Sequence, residues 1–227
     1  MASPFFGENK SSWTDMSDYV VHFARDYKGK TAYDNMMAIL SGQVIKARNP
    51  FGLAREKAPE PKTQRVACFS EIPLHRLKRL ADARSKYGIV FRKDLVIHRG
   101  ANPIMYAYKD HDVTAALKQI AKNAKKDSSH PIWRVTPFVD APGRYGKSTY
   151  FYEWEREWRK VGHFTFLADE VEFLIIPEEQ HKQARVFFDD AKTENLGPSY
   201  ECPFIDPYWK RKQIKPVLPK YGEESGS

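Results

Sequence analysis

Three carboxylates stand at every second position of Glu153-Trp154-Glu155-Arg156-Glu157-Trp158-Arg159. If Phe151 to Arg159 is extended, the period of two places Glu153, Glu155 and Glu157 on one face and Trp154, Arg156 and Trp158 on the other. Carboxylates that close raise one another's pKa, which is unfavourable unless a cation or substrate compensates, and such clusters favour functional sites. The plain alternative is an exposed strand or helix with ion pairs to Arg156, Arg159 and Lys160, where helical spacing would pair Glu153 with Glu157.

Two further side chains can do chemistry. His22 lies in the β-branched and aromatic run Tyr19-Val20-Val21-His22-Phe23-Ala24, where an imidazole can hold a ribose hydroxyl or a carbonyl, or simply be a satisfied core histidine. Ser70 ends the apolar run Val66-Ala67-Cys68-Phe69-Ser70 and can offer a hydroxyl to a ligand or start a turn. The chain carries no GxGxxG, P-loop, HExxH, GxSxG or EF-hand pattern, which removes the usual signatures of hydride transfer, Walker-type hydrolysis and zinc hydrolysis. Cys68 and Cys202 lack CxxC partners, so neither a zinc site nor a disulfide framework is indicated and a reducing cytoplasm fits.

The elements that must position these groups alternate. After the first strand, Tyr33, Met36, Met37 and Leu40 have helical spacing, with Gly42 as the stop. The stretch from Lys46 to Gln64, with Pro50, Pro59 and Pro61, reads as an exposed loop, conceivably a lid. Pro73 opens a helix whose Leu74, Leu77 and Ala81 face the core and whose outer face carries Arg76, Lys78, Arg79, Arg84 and Lys86. Val113, Ala116, Leu117, Ile120, Ala121 and Ala124 trace one face of the clearest helix, with Lys118, Lys122, Lys125 and Lys126 toward solvent. Val171 to Ile176 is the most β-like run. The expected organisation is an N-terminal extension over 1–18, one α/β domain over 19–197, and an extended C-terminal segment over 198–227 whose end, Gly222 to Ser227, is disordered.

A formal net charge of +8 favours a polyanionic partner, nucleic acid or a phosphate-bearing small molecule, although an ordinary soluble surface can carry as much. The start, Met1 to Glu8, lacks a basic segment followed by an apolar run, and no stretch approaches the roughly 20 apolar residues of a membrane span. Membrane partners are therefore not expected.

Taken together, Val21-His22-Phe23, Ala67-Cys68-Phe69-Ser70-Glu71-Ile72-Pro73-Leu74 and Glu155-Arg156-Glu157-Trp158-Arg159 resemble the AbiGi family of abortive phage-resistance proteins. Between them, Tyr87-Gly88-Ile89-Val90-Phe91-Arg92-Lys93 and Gly100-Ala101-Asn102-Pro103-Ile104-Met105-Tyr106 extend the likeness over roughly residues 19 to 177. More distantly, the layout of a strand histidine, a central strand serine and a late glutamate is similar to ADP-ribosyltransferases, including DarT-like enzymes that modify nucleic acid.

That second likeness implies an α+β fold with a mixed, mostly antiparallel split sheet and flanking helices, and NAD as substrate. It makes Glu157 the catalytic carboxylate that orients the nicotinamide ribose and stabilises oxocarbenium-like charge, and lets Glu155 position the acceptor. His22 and Ser70 would hold NAD, and Tyr106 would stack on the nicotinamide or be a core aromatic. Glu172, in Glu170-Val171-Glu172-Phe173-Leu174-Ile175-Ile176-Pro177, is the rival carboxylate. The function implied is a phage-defence effector that transfers ADP-ribose from NAD to a macromolecule, with the basic helices over 76 to 86 and 118 to 126 guiding nucleic acid. Because the AbiGi family is described as an antitoxin, the alternative is a non-catalytic module that holds a toxin partner or operator DNA; a dinucleotide sensor without turnover is a third reading.

Overall fold

The computed structural model describes residues 17–71 and 73–218; the expectations for the first 16 residues and for Gly222 to Ser227 lie outside these. The described residues fold as two compact units, one formed by 17–44, 71, 73–96 and 165–218, the other by Ile45–Ser70 and Ile97–Phe164.

In the first unit Gly88–Arg92 is an inner strand, because its Ile89, Val90 and Phe91 are apolar in succession and fully buried, as a strand covered on both faces requires. It pairs antiparallel with Tyr19–Phe23 on one side and with Val171–Ile175 on the other, and Phe204–Ile205 runs parallel to Val171–Ile175. A Cβ at Gly88 would lie 2.8 Å from Val21 Cγ1, so a larger residue there would have to displace the Val21 side chain. The helix Ala32–Gly42 opens on a capping box: Thr31 accepts from the Asp34 amide while the Asp34 carboxylate accepts from the Thr31 amide. Its stop falls one residue beyond Gly42, at Gln43, which takes the left-handed conformation and donates its amide to Leu40. Leu74, Leu77 and Ala81 are buried, as their spacing predicts. The C-terminal segment, expected to be merely extended, instead supplies the buried strand Phe204–Ile205 and the helix Arg211–Val217, because Phe204, Ile205 and Ile214 have apolar surface to cover.

In the second unit Glu157–Val161 lies between residues of Val66–Glu71 and Asn102–Pro103, antiparallel to both. Met105–Tyr106 pairs in parallel with Val139–Asp140, and Gly143–Tyr145 forms a hairpin with Ser148–Tyr150. The helix Asp112–Ala124 is present, but its inner face is Thr114, Ala121 and Ala124, while Val113 and Ile120 are exposed. Small side chains set that rotation, since Ala121 and Ala124 allow a close approach to Ala54, Ile132 and Trp133.

The stretch from Lys46 to Gln64 is exposed over much of its length, as expected, but it is anchored at Gln64 and at Gly52. Gln64 is fully buried, donates Nε2 to the Trp133 carbonyl at 3.0 Å and accepts the Thr136 hydroxyl at 3.0 Å. Gly52 lies so close to Thr136 that a Cβ would meet its carbonyl oxygen at 2.0 Å. Helices and mostly antiparallel strand pairs make the protein α+β, as expected.

Candidate functional site

The acidic run is not one strand. Glu153–Glu155 forms a 3-10 turn, Arg156 takes the left-handed conformation with φ 46, and only Glu157–Val161 is extended. Because the left-handed residue breaks the period of two, the three glutamates do not share a strand face. Glu155 is buried in the turn, while Glu157 begins the strand.

From there the alternation holds. The register sets Glu157 opposite Ser70 and Arg159 opposite Cys68, so these four side chains share one face, whereas Trp158 pairs with Phe69 on the other. On that other face Phe69 packs edge-on against Phe164, their ring centroids 5.1 Å apart.

Arg159 is completely buried and every donor of its guanidinium is engaged. Nε and Nη2 donate to the two Glu157 oxygens at 2.8 and 3.0 Å. Nη1 and Nη2 donate to the two Asp140 oxygens at 3.2 and 2.6 Å, and Nη1 also reaches the Pro137 carbonyl at 2.8 Å. The Phe51 ring covers the guanidinium, its centroid 5.1 Å from Cζ. Burial works against the charge, but Glu157 and then Asp140 outweigh it and hold the Arg159 pKa well above the ordinary value.

One cation faces two carboxylates, and two neutral phenols complete the cluster, one as donor and one as acceptor. The Tyr150 hydroxyl donates to Asp140 at 2.6 Å, and the Tyr106 hydroxyl accepts the Glu157 backbone amide at 3.3 Å. Burial, then the bond to Asp140, pushes the Tyr150 phenol far up; burial also pushes Tyr106 up to about 12. The Cys68 thiol is pushed well up by burial first and by the Glu157 carboxylate second. At neutral pH all three groups are protonated, so they add no negative charge.

The structure thus brings Glu157, Ser70 and Tyr106 together in the second unit, with Glu155 two residues before Glu157. His22, half-buried on Tyr19–Phe23, and the rival Glu172, on Val171–Ile175 where the pairing register shifts, belong to the first unit. Sequence reasoning missed Asp140, Tyr150, Cys68 and Phe51, and treated Arg159 only as the partner of a surface ion pair. The alternation Glu157-Trp158-Arg159 was the available signal, since it sets acid and base on one face; nothing local marks Asp140. The first unit has its own enclosed pair, Lys93 Nζ to Glu71 Oε1 at 2.8 Å, with the Ser17 amide donating to the same oxygen at 3.3 Å.

Among the described residues no group of three His, Cys, Asp or Glu side chains is placed to hold a metal ion, and no helix is long and apolar enough to cross a membrane.

No curated protein and no solved structure matches the chain. The family described as "Putative abortive phage resistance protein AbiGi, antitoxin" matches residues 44–196, more than half of the chain. The match takes in Ser70, Asp140, Glu157 and Arg159 and leaves out His22, so the complete charged cluster lies within the shared region, and the chain belongs to the AbiGi family.

Proposed function

We propose that this protein is a non-catalytic antitoxin of a phage-defence toxin–antitoxin pair, acting by binding a cognate toxin. Family membership supports the phage-defence role and the antitoxin description. The observation that carries the reading further is the Arg159 cluster: both oxygens of Glu157, the best-placed candidate for a catalytic carboxylate, are held by one buried guanidinium. A glutamate that orients a ribose needs its oxygen presented to the ligand, and here the strongest donors available already occupy it. The test is growth. Expression of the protein alone is expected to be harmless, co-expression is expected to rescue cells from the toxin encoded beside it, and Glu157→Gln is expected to rescue as well as wild type.

A second reading keeps ADP-ribose transfer from NAD to nucleic acid. In favour of it, Ser70 and Glu157 are direct cross-strand partners and the Tyr106 hydroxyl bonds the Glu157 amide. On this reading the ADP-ribosyltransferase-like split sheet, with Glu155 positioning the acceptor and His22 holding NAD, would be functional. Incubation with labelled NAD together with RNA, DNA and protein separates the two: label transferred by wild type and lost in Glu157→Gln would overturn the antitoxin reading.

A further inference from the structure

Within the first unit, one surface combines an exposed aromatic ring with lysines that make no ion pair among the described residues. Tyr208, 41 % exposed, follows the strand Phe204–Ile205. Its ring lies beneath two ammonium groups, Lys78 Nζ at 6.0 Å and Lys86 Nζ at 5.6 Å from the centroid. Lys78 comes from the helix Leu77–Ala83 and Lys86 from the turn after it.

The ring is fixed rather than a loosely tethered surface side chain. Its hydroxyl donates to Asp82 at 2.9 Å and its backbone amide to Asp206 Oδ1 at 2.7 Å. The nearby acids are therefore engaged in holding it: Asp206 also accepts the Glu178 amide at 2.7 Å, and Glu178 accepts the Trp209 indole N–H at 2.7 Å. Lys78 and Lys86 have no carboxylate partner among the described residues, and the same holds for Arg76, two residues before Lys78, and for Lys210, Lys212 and Lys215, which follow Tyr208 in sequence. A solvated charged face alone does not account for an aromatic ring pinned in the middle of it. Two cations gathered at one partly exposed ring match a chain of phosphates that carries stackable bases, because lysines neutralise the backbone while the ring's exposed part takes a base of any sequence.

We propose that the Tyr208 platform binds single-stranded nucleic acid with little sequence preference. This goes beyond toxin neutralisation and does not depend on it, since toxin rescue and oligonucleotide binding are read separately.

Fluorescence anisotropy with labelled thymidine and uridine oligonucleotides of about a dozen nucleotides tests the proposal on the full chain. Binding is expected to weaken steeply between about 50 and 200 mM salt. Lys78→Glu with Lys86→Glu is expected to lower affinity at least about tenfold and to flatten the salt dependence. Tyr208→Ala is expected to cost about tenfold with the salt slope unchanged, whereas Tyr208→Phe, which keeps the ring, is expected to bind within about twofold of wild type. Lys118→Glu with Lys122→Glu, on the helix Asp112–Ala124, is the charge-matched control and is expected to bind as wild type. No binding at low salt, equal binding to a duplex of the same length, or equal losses from the two charge reversals would overturn it. So would an unchanged affinity in a folded Tyr208→Ala variant.

Discussion

Arg159 chelates the carboxylate of Glu157 two positions earlier on its own strand, through Nε at 2.8 Å and Nη2 at 3.0 Å. A same-strand pair of this kind is possible because the period of two puts both side chains on one face, and burial makes the geometry matter. In water such a pair would contribute little; enclosed, the guanidinium has only these acceptors to replace its lost hydration.

Removing the cation should therefore be severe. Arg159→Ala leaves Glu157 and Asp140 enclosed without compensation, and we expect a loss of about 3–5 kcal/mol in urea unfolding. Arg159→Lys should recover little, because one ammonium cannot reproduce two bidentate contacts and a bond to Pro137. Equal stability of Arg159→Lys and wild type would show that charge alone suffices.

Glu157→Gln keeps the shape but removes the negative charge and sets an amide N–H against one of the two Arg159 donors. It should cost about 2 kcal/mol in the same measurement. Toxin rescue should persist below the unfolding temperature, so a stable but non-rescuing variant would point to a direct functional role for the carboxylate.

Thiol chemistry offers a third check. Burial pushes Cys202 up to about 12 and Cys68 well up, so neither presents much thiolate near neutral pH. Both cysteines keep some solvent exposure, so a disulfide reagent at about pH 8 should label them in the native protein, but much more slowly than in urea. Labelling of either thiol as fast in the native protein as in urea would contradict its raised pKa.

Alkali should destabilise the fold. Cys68, Cys202, Tyr106, Tyr150 and Tyr200 all have pKa values raised in the folded state, chiefly by burial. A raised folded pKa gives stability that is fully present below the unfolded value and is lost as pH rises through the folded one. The window therefore opens near pH 9 for the cysteines and near 10 for the tyrosines, so thermal unfolding temperatures should be flat through neutral pH and fall above that range. A midpoint unchanged up to about pH 11 would refute this.

Gly52 gives a purely steric test. It sits at φ 91 with the Thr136 carbonyl where a Cβ would go. Gly52→Ala should cost several kcal/mol, on the order of 3, since both the backbone conformation and the approach to Thr136 are lost. Near-normal stability would mean that the loop can lift away from Thr136.

Much of the secondary structure was legible because it follows apolar periodicity. The run Gly88 to Phe91, the spacing of Leu74, Leu77 and Ala81, and the helix near Val113 to Ala124 all declare themselves locally. The errors came where backbone conformation or distant packing overrides local pattern. Nothing in the composition of Glu153 to Glu157 announces that Arg156 adopts a positive φ, a conformation that glycine or asparagine would have flagged. The prolines between Lys46 and Gln64 mark an irregular path correctly but say nothing of Gln64 bonding Trp133 and Thr136, about 70 residues away. Asp140 was invisible for the same reason: its importance lies in Arg159, 19 positions on, and only the fold supplies that meeting.

The guanidinium of Arg159 also bears on how the second unit opens. It takes acceptors from Pro137, Asp140 and Glu157, while its own strand is hydrogen-bonded on both sides. None of these stretches can leave without stranding a charge, so local fraying is suppressed and they should separate as one event. Native-state hydrogen exchange would then find the amides of Lys160, Ala107 and Ala67 sharing a single opening free energy, and the cluster would act as a latch that makes three distant pieces of chain one cooperative body.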